Sequence, residues 1–316
     1  MPYSLRLAVR RRLANRKRRH VRNTWPILPG SEKRPEDWRG WPENKQFGFI
    51  LTHDVESQRG LEKCRQLMDL EMKLGFRSSF NFIPEGNYNV SKAIRDEMRR
   101  NGFEVGVHDL RHDGKLFRSR DQFREHASSI NEHLRDWGAV GFRSGFMLSK
   151  LDWLHDLNIQ YDASTFDTDP FEPQPKGAAT IFPFWVPRVS KPKTRSTPAD
   201  VSSRFSPRNP RLGETGYVEL PYTLPQDSTL FLVLRETTDE IWKEKLHWLA
   251  KQGGMVLMNT HPDYMNFDCP RAKEEEFDAR LYQNFLLHVK EKYGGAFWHA
   301  LPQQVASWVR TGAQSL

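Results

Sequence analysis

His108 and His112 stand four residues apart, directly after the apolar run Phe103-Glu-Val-Gly-Val107. If the chain turns helical just past Val107, that spacing puts both imidazoles on one face, where they can chelate one divalent cation. A carboxylate from another strand end would complete a two-histidine, one-carboxylate site and leave positions for water. Asp54 and Glu56 follow the apolar run Phe47-Gly-Phe-Ile-Leu-Thr52 and lie two apart. One can therefore serve a metal while the other stays free as a base. The chemistry that suits such a set is hydrolysis: the cation lowers the pKa of its water to about 7 and polarises a carbonyl. A carboxylate then takes a proton from the water, and a second group protonates the leaving amine. His261, before Pro262, is suited to be that acid, since imidazole exchanges its proton near neutral pH. Arg143 would hold the basic carboxylate ionised and oriented through a charge-assisted pair.

Taken singly, each of these residues has an ordinary explanation. His126 and His133, seven apart on a polar helical face, show how common such spacings are, and they read as surface. Asp54 can be a helix N-cap, Arg143 one half of a surface pair, and His261 a loop histidine. Position joins them, because each follows a strand-like run. In a parallel α/β sheet or barrel, the loops after the strand C-termini gather on one face.

The elements needed for that gathering alternate along the chain. Strand-like runs at 47–52, 79–84, 103–107, 140–142 and 158–161 are separated by helical patterns over 57–75, 91–100, 120–137 and 149–157. The pattern resumes with a strand at 229–234, a helix at 239–252, a strand at 254–259 and a helix at 275–292. Such alternation predicts a parallel sheet with right-handed crossovers. Between 165 and 215 it breaks into a proline-rich stretch that is basic and serine-rich in its second half. Ile181-Phe-Pro-Phe-Trp-Val186 is apolar enough to pack on the body, and residues 190–213 are expected to be mobile.

Composition narrows the class. The chain has 316 residues with 37% hydrophobic and 12% aromatic content, enough for a sizeable core and too aromatic for a disordered protein. No run approaches the ~18 apolar residues of a membrane-spanning helix, so a soluble protein is expected. Two cysteines, Cys64 and Cys269, form no CxxC pair and no disulfide framework, which fits a reducing compartment. The first 30 residues hold nine Lys/Arg and no acid, so the net charge of +8 belongs to this tail and the body is nearly neutral. The tail lacks the apolar core of a secretory signal. It reads as a solvated basic extension, with contact between residues 1–24 and anionic membrane lipid as its functional alternative. Nucleic acid is disfavoured, since no aromatics interleave with the charges.

The series Thr52-His-Asp54-Val-Glu56, His108-Asp-Leu-Arg-His112, Gly-Phe-Arg143-Ser-Gly-Phe146 and Asn-Thr-His261-Pro262 resembles the motifs of the polysaccharide deacetylases, the NodB-homology group of carbohydrate esterase family four. The resemblance spans residues 47–265, with the HxxxH segment its most specific part. It implies a deformed (β/α) barrel with an open groove. It also implies Asp54 as catalytic base, His108 and His112 as metal ligands, Arg143 as the residue orienting the base, and His261 as general acid. Two places depart from the family pattern. Val55 stands where an adjacent second aspartate is usual, so Asp54-Val-Glu56 looks like the Asp-x-Asp form with Glu56 as ligand. Gly145 stands where proline is usual two residues after the arginine.

The resulting expectation is an α/β single domain over residues 36–312 after a basic extension of 1–35. It would be a metal-dependent hydrolase that removes acetyl from an N-acetylated sugar and helps to build a cell-surface glycan. The cofactor would be one divalent ion, zinc first and cobalt or another transition metal next. The location would be cytoplasmic, peripheral to the membrane. Phe146, Trp185 and Tyr264 are candidate substrate-binding residues, and Trp153 and Phe171 are further aromatics near the motifs. Two rivals are a hydrolase of linear or cyclic non-sugar amides on the same fold, and a degenerate barrel that binds through its basic tail.

Overall fold

The computed structural model describes residues 3–188, 210–211, 213–268 and 275–311, with side chains from Leu7 onward. The expected mobile stretch 190–213 lies outside the described residues, except for Pro210, Arg211 and Gly213, and so does Cys269.

Strand β1 (Phe47–Val55) is the centre of the molecule, and every residue of it is buried. It pairs in parallel with β2 (Ser79–Phe82) and β8 (Met255–Thr260) on its two sides. From β2 the sheet continues in parallel through β3 (Glu104–His108), β4 (Gly141–Arg143), β5 (Tyr161–Asp162) and β7 (Gly216–Glu219). Beyond β7 the chain turns back onto β8. Thr223 N–H donates to Leu257 O at 3.0 Å, and Leu257 N–H returns to Thr223 Oγ1 at 3.0 Å. The sheet therefore curls into a deformed barrel whose strand ends all point the same way. At the margins, β6 (Phe184–Pro187) lies antiparallel to β7, and β11 (Phe297–His299) runs beside the start of β1. A two-stranded ribbon, β9 (Met265–Asn266) with β10 (Phe277–Asp278), stands apart.

Helices α2 (Gln58–Leu74), α3 (Lys92–Arg100), α4 (Arg120–Trp137), α6 (Glu240–Gln252) and α7 (Arg280–Tyr293) carry the crossovers, with the short α5 (Leu151–Leu154) after β4. Helix α8 (Pro302–Thr311) follows β11. Local chemistry sets the boundaries of the first crossover. Ser57 caps α2 by accepting from Gly60 N, and Gly75, at φ 85°, ends it in the left-handed region that glycine enters without penalty. The inner face of α2 buries Cys64, Leu67, Met68 and Glu71. Glu71 accepts from His53 Nε2 at 2.7 Å and from the Ser78 hydroxyl at 2.7 Å, so no buried oxygen of it is left bare. The β pleat thus splits the Thr52-His-Asp54 segment: His53 faces the helices, and Thr52 and Asp54 face the barrel axis.

Four expectations change. The strand expected at 158–161 shifts to Tyr161–Asp162, and the helix expected at 149–157 contracts to Leu151–Leu154. The strand expected at 229–234 is instead a π-helical turn, Ser228–Val233, with Thr229 to Val233 all buried. A short run buried on every side carries no periodicity, so pattern alone cannot separate strand from helix there. The basic extension is ordered from Tyr3 to Val21 as helix α1 rather than solvated throughout, with Leu7 and Ala14 buried. Among the described residues, no helix is long and apolar enough to cross a membrane.

Candidate active site

Register brings the site together at the C-terminal ends of the strands. Asp54 stands level with Asn81, and His108 with Arg143, on neighbouring strands. Ligand atoms of Glu56, His108 and His112 lie within 4.8 Å of one another. Glu56 Oε1 is 3.3 Å from His112 Nε2, and the Tyr264 hydroxyl donates to Glu56 Oε2 at 2.8 Å.

The two histidines do not meet by helical spacing. Residues 109–112 form an irregular loop with Asp109 at φ 57° and His112 at φ 52°. Asp109 stabilises this unusual backbone, accepting from Leu110 N at 2.6 Å and from Gly145 N at 3.1 Å. Its neighbour Gly145 leaves no room for a side chain. A Cβ there would sit 2.6 Å from Asp109 Oδ2 and 2.8 Å from His112 Cδ2. The loop and Gly145 are therefore parts of one arrangement. Phe146, at φ 56° and 45% exposed, stacks on His112 with ring centroids 4.5 Å apart.

His108 tests whether a metal fits. Its Nδ1 lies 3.1 Å from the Arg143 carbonyl, which can only accept, so Nδ1 carries the proton and Nε2 presents a lone pair. That Nε2 is buried and has no hydrogen-bond partner among the described residues. A buried lone pair with no hydrogen-bond partner, beside a carboxylate and a second imidazole, is the donor set that a divalent cation requires. Two nitrogens and one oxygen suit a borderline ion such as zinc or cobalt.

Asp54 is fully enclosed. Asn81 donates to its Oδ1 at 3.0 Å and Asn259 to its Oδ2 at 2.8 Å, while Arg143 Nη1 lies 3.3 Å from Oδ1. Burial pushes this carboxyl up, but Arg143, the nearby histidines and Asn81 outweigh it and hold the pKa well below the usual carboxylate range. Arg143 is itself fixed by donating to Ala163 O at 2.7 Å and Thr52 Oγ1 at 2.9 Å, and it also bonds Asn259 Oδ1. On the other side of Glu56, His261 Nε2 is 3.9 Å from Oε1. His261 Nδ1 bonds Asp227 Oδ1 at 2.7 Å, and Asp227 Oδ2 accepts the His261 backbone N–H at 2.7 Å. Burial would lower the imidazole pKa. Asp227 reverses this, and His261 is pushed up to about 10.

All six motif residues thus converge; Arg143 stands behind Asp54, and the other five meet at one cavity of about 150 Å³ that Phe146, Tyr264, Phe171 and Gln226 also line. Trp185 does not line it. This ring, 3% exposed, packs in a core cluster with Trp41, Tyr161 and Val218. Trp153 does not line it either and packs, half-buried, against Phe117 and Phe123. Sequence reasoning missed Asp227, Asn81 and Asn259. A lone asparagine amid the Phe and Met of a buried strand was a signal for the last two. Asp227, beyond the segment that closes the barrel, gave none.

No protein-family model matches the chain, and no curated protein matches it in sequence. Solved structures do match. One, from Mycobacterium smegmatis and assigned by its name to the polysaccharide deacetylases, is 16% identical over 90% of this chain and 98% of that one, with a TM-score of 0.61. Another, a family 4 acetyl xylan esterase from Clostridium thermocellum, is 12% identical over 82% of this chain and 90% of that one, with a TM-score of 0.44. The first of these shows that the chain has the deformed-barrel fold that the motif series implied.

Proposed function

We propose that the protein removes an acetyl or similar acyl group from the nitrogen of an acylated sugar, using a divalent metal held by Glu56, His108 and His112. The observation that carries this reading is the buried, unpartnered Nε2 of His108, set between that ligand group and two independently buttressed titratable residues. When bound, such an ion polarises the amide carbonyl and makes water acidic enough to attack it near neutral pH.

The chain's own residues supply the rest. Asp54 stays ionised and receives the proton of the attacking water. Arg143, Asn81 and Asn259 fix both of its oxygens, so its orientation is set before substrate arrives. His261 holds its proton through the neutral range and gives it from Nε2 to the departing amine, while Asp227 fixes the ring and its tautomer. Tyr264 anchors Glu56, and Phe146 presents an exposed aromatic face at the rim. A sugar ring can stack on that face.

The decisive experiment is elemental analysis of wild type beside His108→Ala/His112→Ala, followed by acetate release from N-acetylated sugars. One divalent ion per chain, lost in the double variant, is the expected result. Both proteins lacking metal after soaking in zinc or cobalt would sink the reading. The reading extends to assembly of a cell-surface glycan in the cytoplasm beside the membrane. The basic helix α1 supports that placement, and fractionation of the native protein outside the cytoplasmic membrane would overturn it.

A further inference from the structure

Helix α1 is laid out in heptad-spaced pairs. Leu7 and Ala14 are buried against the body, with Val21 partly buried on the same line. Arg11 Nε donates to Leu232 O at 2.9 Å, and Arg18 pairs with Glu236, so the next line docks the helix onto the Ser228–Val233 turn. The third line is Arg10 and Lys17. Arg10 lines the active-site cavity itself. It also lines an adjoining cavity of about 200 Å³, together with Leu13, Ala14, Lys17, Phe171 and Val233. The two cavities share Arg10, Phe171 and Thr229 and so form one groove leading away from the metal ligands.

We propose that α1 forms a wall of the substrate groove and that its Arg10 and Lys17 hold a phosphate group carried by the acylated sugar. The inference rests on the deacetylase reading and names the substrate class for it. Seven residues separate the two cations, a rise of about 10 Å along a helix, within reach of long side chains closing on one phosphate or diphosphate from two directions. Asp54, Glu56 and Glu172 line the groove, and Glu172 is the acid whose charge interacts with Arg10. Burial first, then Asp169, pushes Glu172 up to about 8, and Gln226 Nε2 lies 2.5 Å from its Oε1. This carboxyl therefore holds its proton more tightly than a free one, which weakens its hold on Arg10. The groove beyond Arg10 is apolar on its sides, and Leu13 is 59% exposed there, so an apolar aglycone attached through the phosphate would find a partner surface.

The test is calorimetric binding to full-length, zinc-loaded protein. Three probes are used: N-acetylglucosamine 1-phosphate, the neutral methyl glycoside of N-acetylglucosamine, and the same sugar phosphate on a polyprenyl chain in neutral-lipid vesicles. Wild type is expected to prefer the phosphate-bearing probes about tenfold or more, with inorganic phosphate competing. In Arg10→Ala/Lys17→Ala the ratio should fall to within about twofold, whereas Arg10→Lys, which keeps the charge, should retain most of it. A ratio near one in wild type, or a ratio unchanged in the double alanine variant, overturns the proposal. Tighter binding of the vesicle probe assigns the phosphate to a lipid-linked sugar, and equal binding assigns it to a soluble one. Failure of the deacetylase reading would show separately, as an intact binding preference with no acetate released from any probe.

Discussion

His261 and Asp227 make two hydrogen bonds to each other, one through the ring Nδ1 and one through the backbone N–H, both at 2.7 Å. The carboxylate thus fixes the position of the histidine as well as its charge. Burial disfavours the imidazolium, Asp227 overcomes it, and the pKa of about 10 lies above the usual 6.5. Asp227→Asn removes the largest of the charges that oppose burial, leaving only Glu56 and Asp54, so the group loses its proton at a lower pH. Deacetylation by the variant should fall by about 10²–10⁴, as expected when a general acid is lost. The alkaline limb of its kcat/KM profile should move to lower pH. A variant whose alkaline limb stays where it is in wild type would remove His261 from the acid role.

Gly145 argues a different point, the dependence of the ligand loop on its neighbour. A methyl group there meets Asp109 Oδ2 at 2.6 Å and His112 Cδ2 at 2.8 Å, distances that Cβ atoms do not tolerate. Gly145→Ala should displace the 109–112 loop and weaken zinc affinity by about 10- to 100-fold, the scale seen when support behind a ligand is lost. The barrel should remain folded. Zinc titration beside far-UV circular dichroism checks both halves, and unchanged affinity would refute the argument.

The site was legible because its residue types are rare at strand ends. A histidine pair, a carboxylate pair, an arginine and a histidine each followed an apolar run. What failed was local geometry. The HxxxH spacing suggested a helix, but Asp109 and His112 take positive φ values instead, a choice made by long-range contact with Gly145 that local spacing cannot encode. Trp185 sat near the motifs in sequence, yet its strand turns the ring into the core. The run Thr229–Leu234 met the pattern of a strand and became a π-helical turn, because a segment buried all round satisfies either geometry.

Lys245 and Asp167 form an ion pair at 2.6 Å with both side chains essentially unexposed. Burial lifts the Asp167 carboxyl to about 6 even against the attraction of Lys245. Removing Lys245 leaves a buried carboxyl that must either carry an uncompensated charge or take up a proton to lose it. Lys245→Met should therefore cost about 3–5 kcal/mol, and Lys245→Met/Asp167→Leu should recover much of that loss. Chemical denaturation of the two variants decides it, since equal losses in the single and double variants would show that packing dominates over the stranded charge.

Glu104 gives the protein a pH dependence remote from the candidate metal site. Its carboxyl is 2.6 Å from the Tyr161 hydroxyl and accepts the Gln303 N–H at 3.1 Å, but burial dominates and pushes it up to about 7 from the usual 4.5. A carboxyl raised in the folded state binds its proton more tightly there than in the unfolded chain. Its contribution is therefore most favourable below pH 4.5, declines as pH rises towards 7, and is flat above that. That rise corresponds to about 3 kcal/mol between the two limits. Glu104→Gln cannot ionise, so it removes this slope and keeps an acceptor for Tyr161. Between pH 5 and pH 8 the wild type should lose a few degrees of melting temperature that Glu104→Gln keeps. Parallel melting curves for the two proteins would mean that the Glu104 carboxyl stays ionised in the folded state.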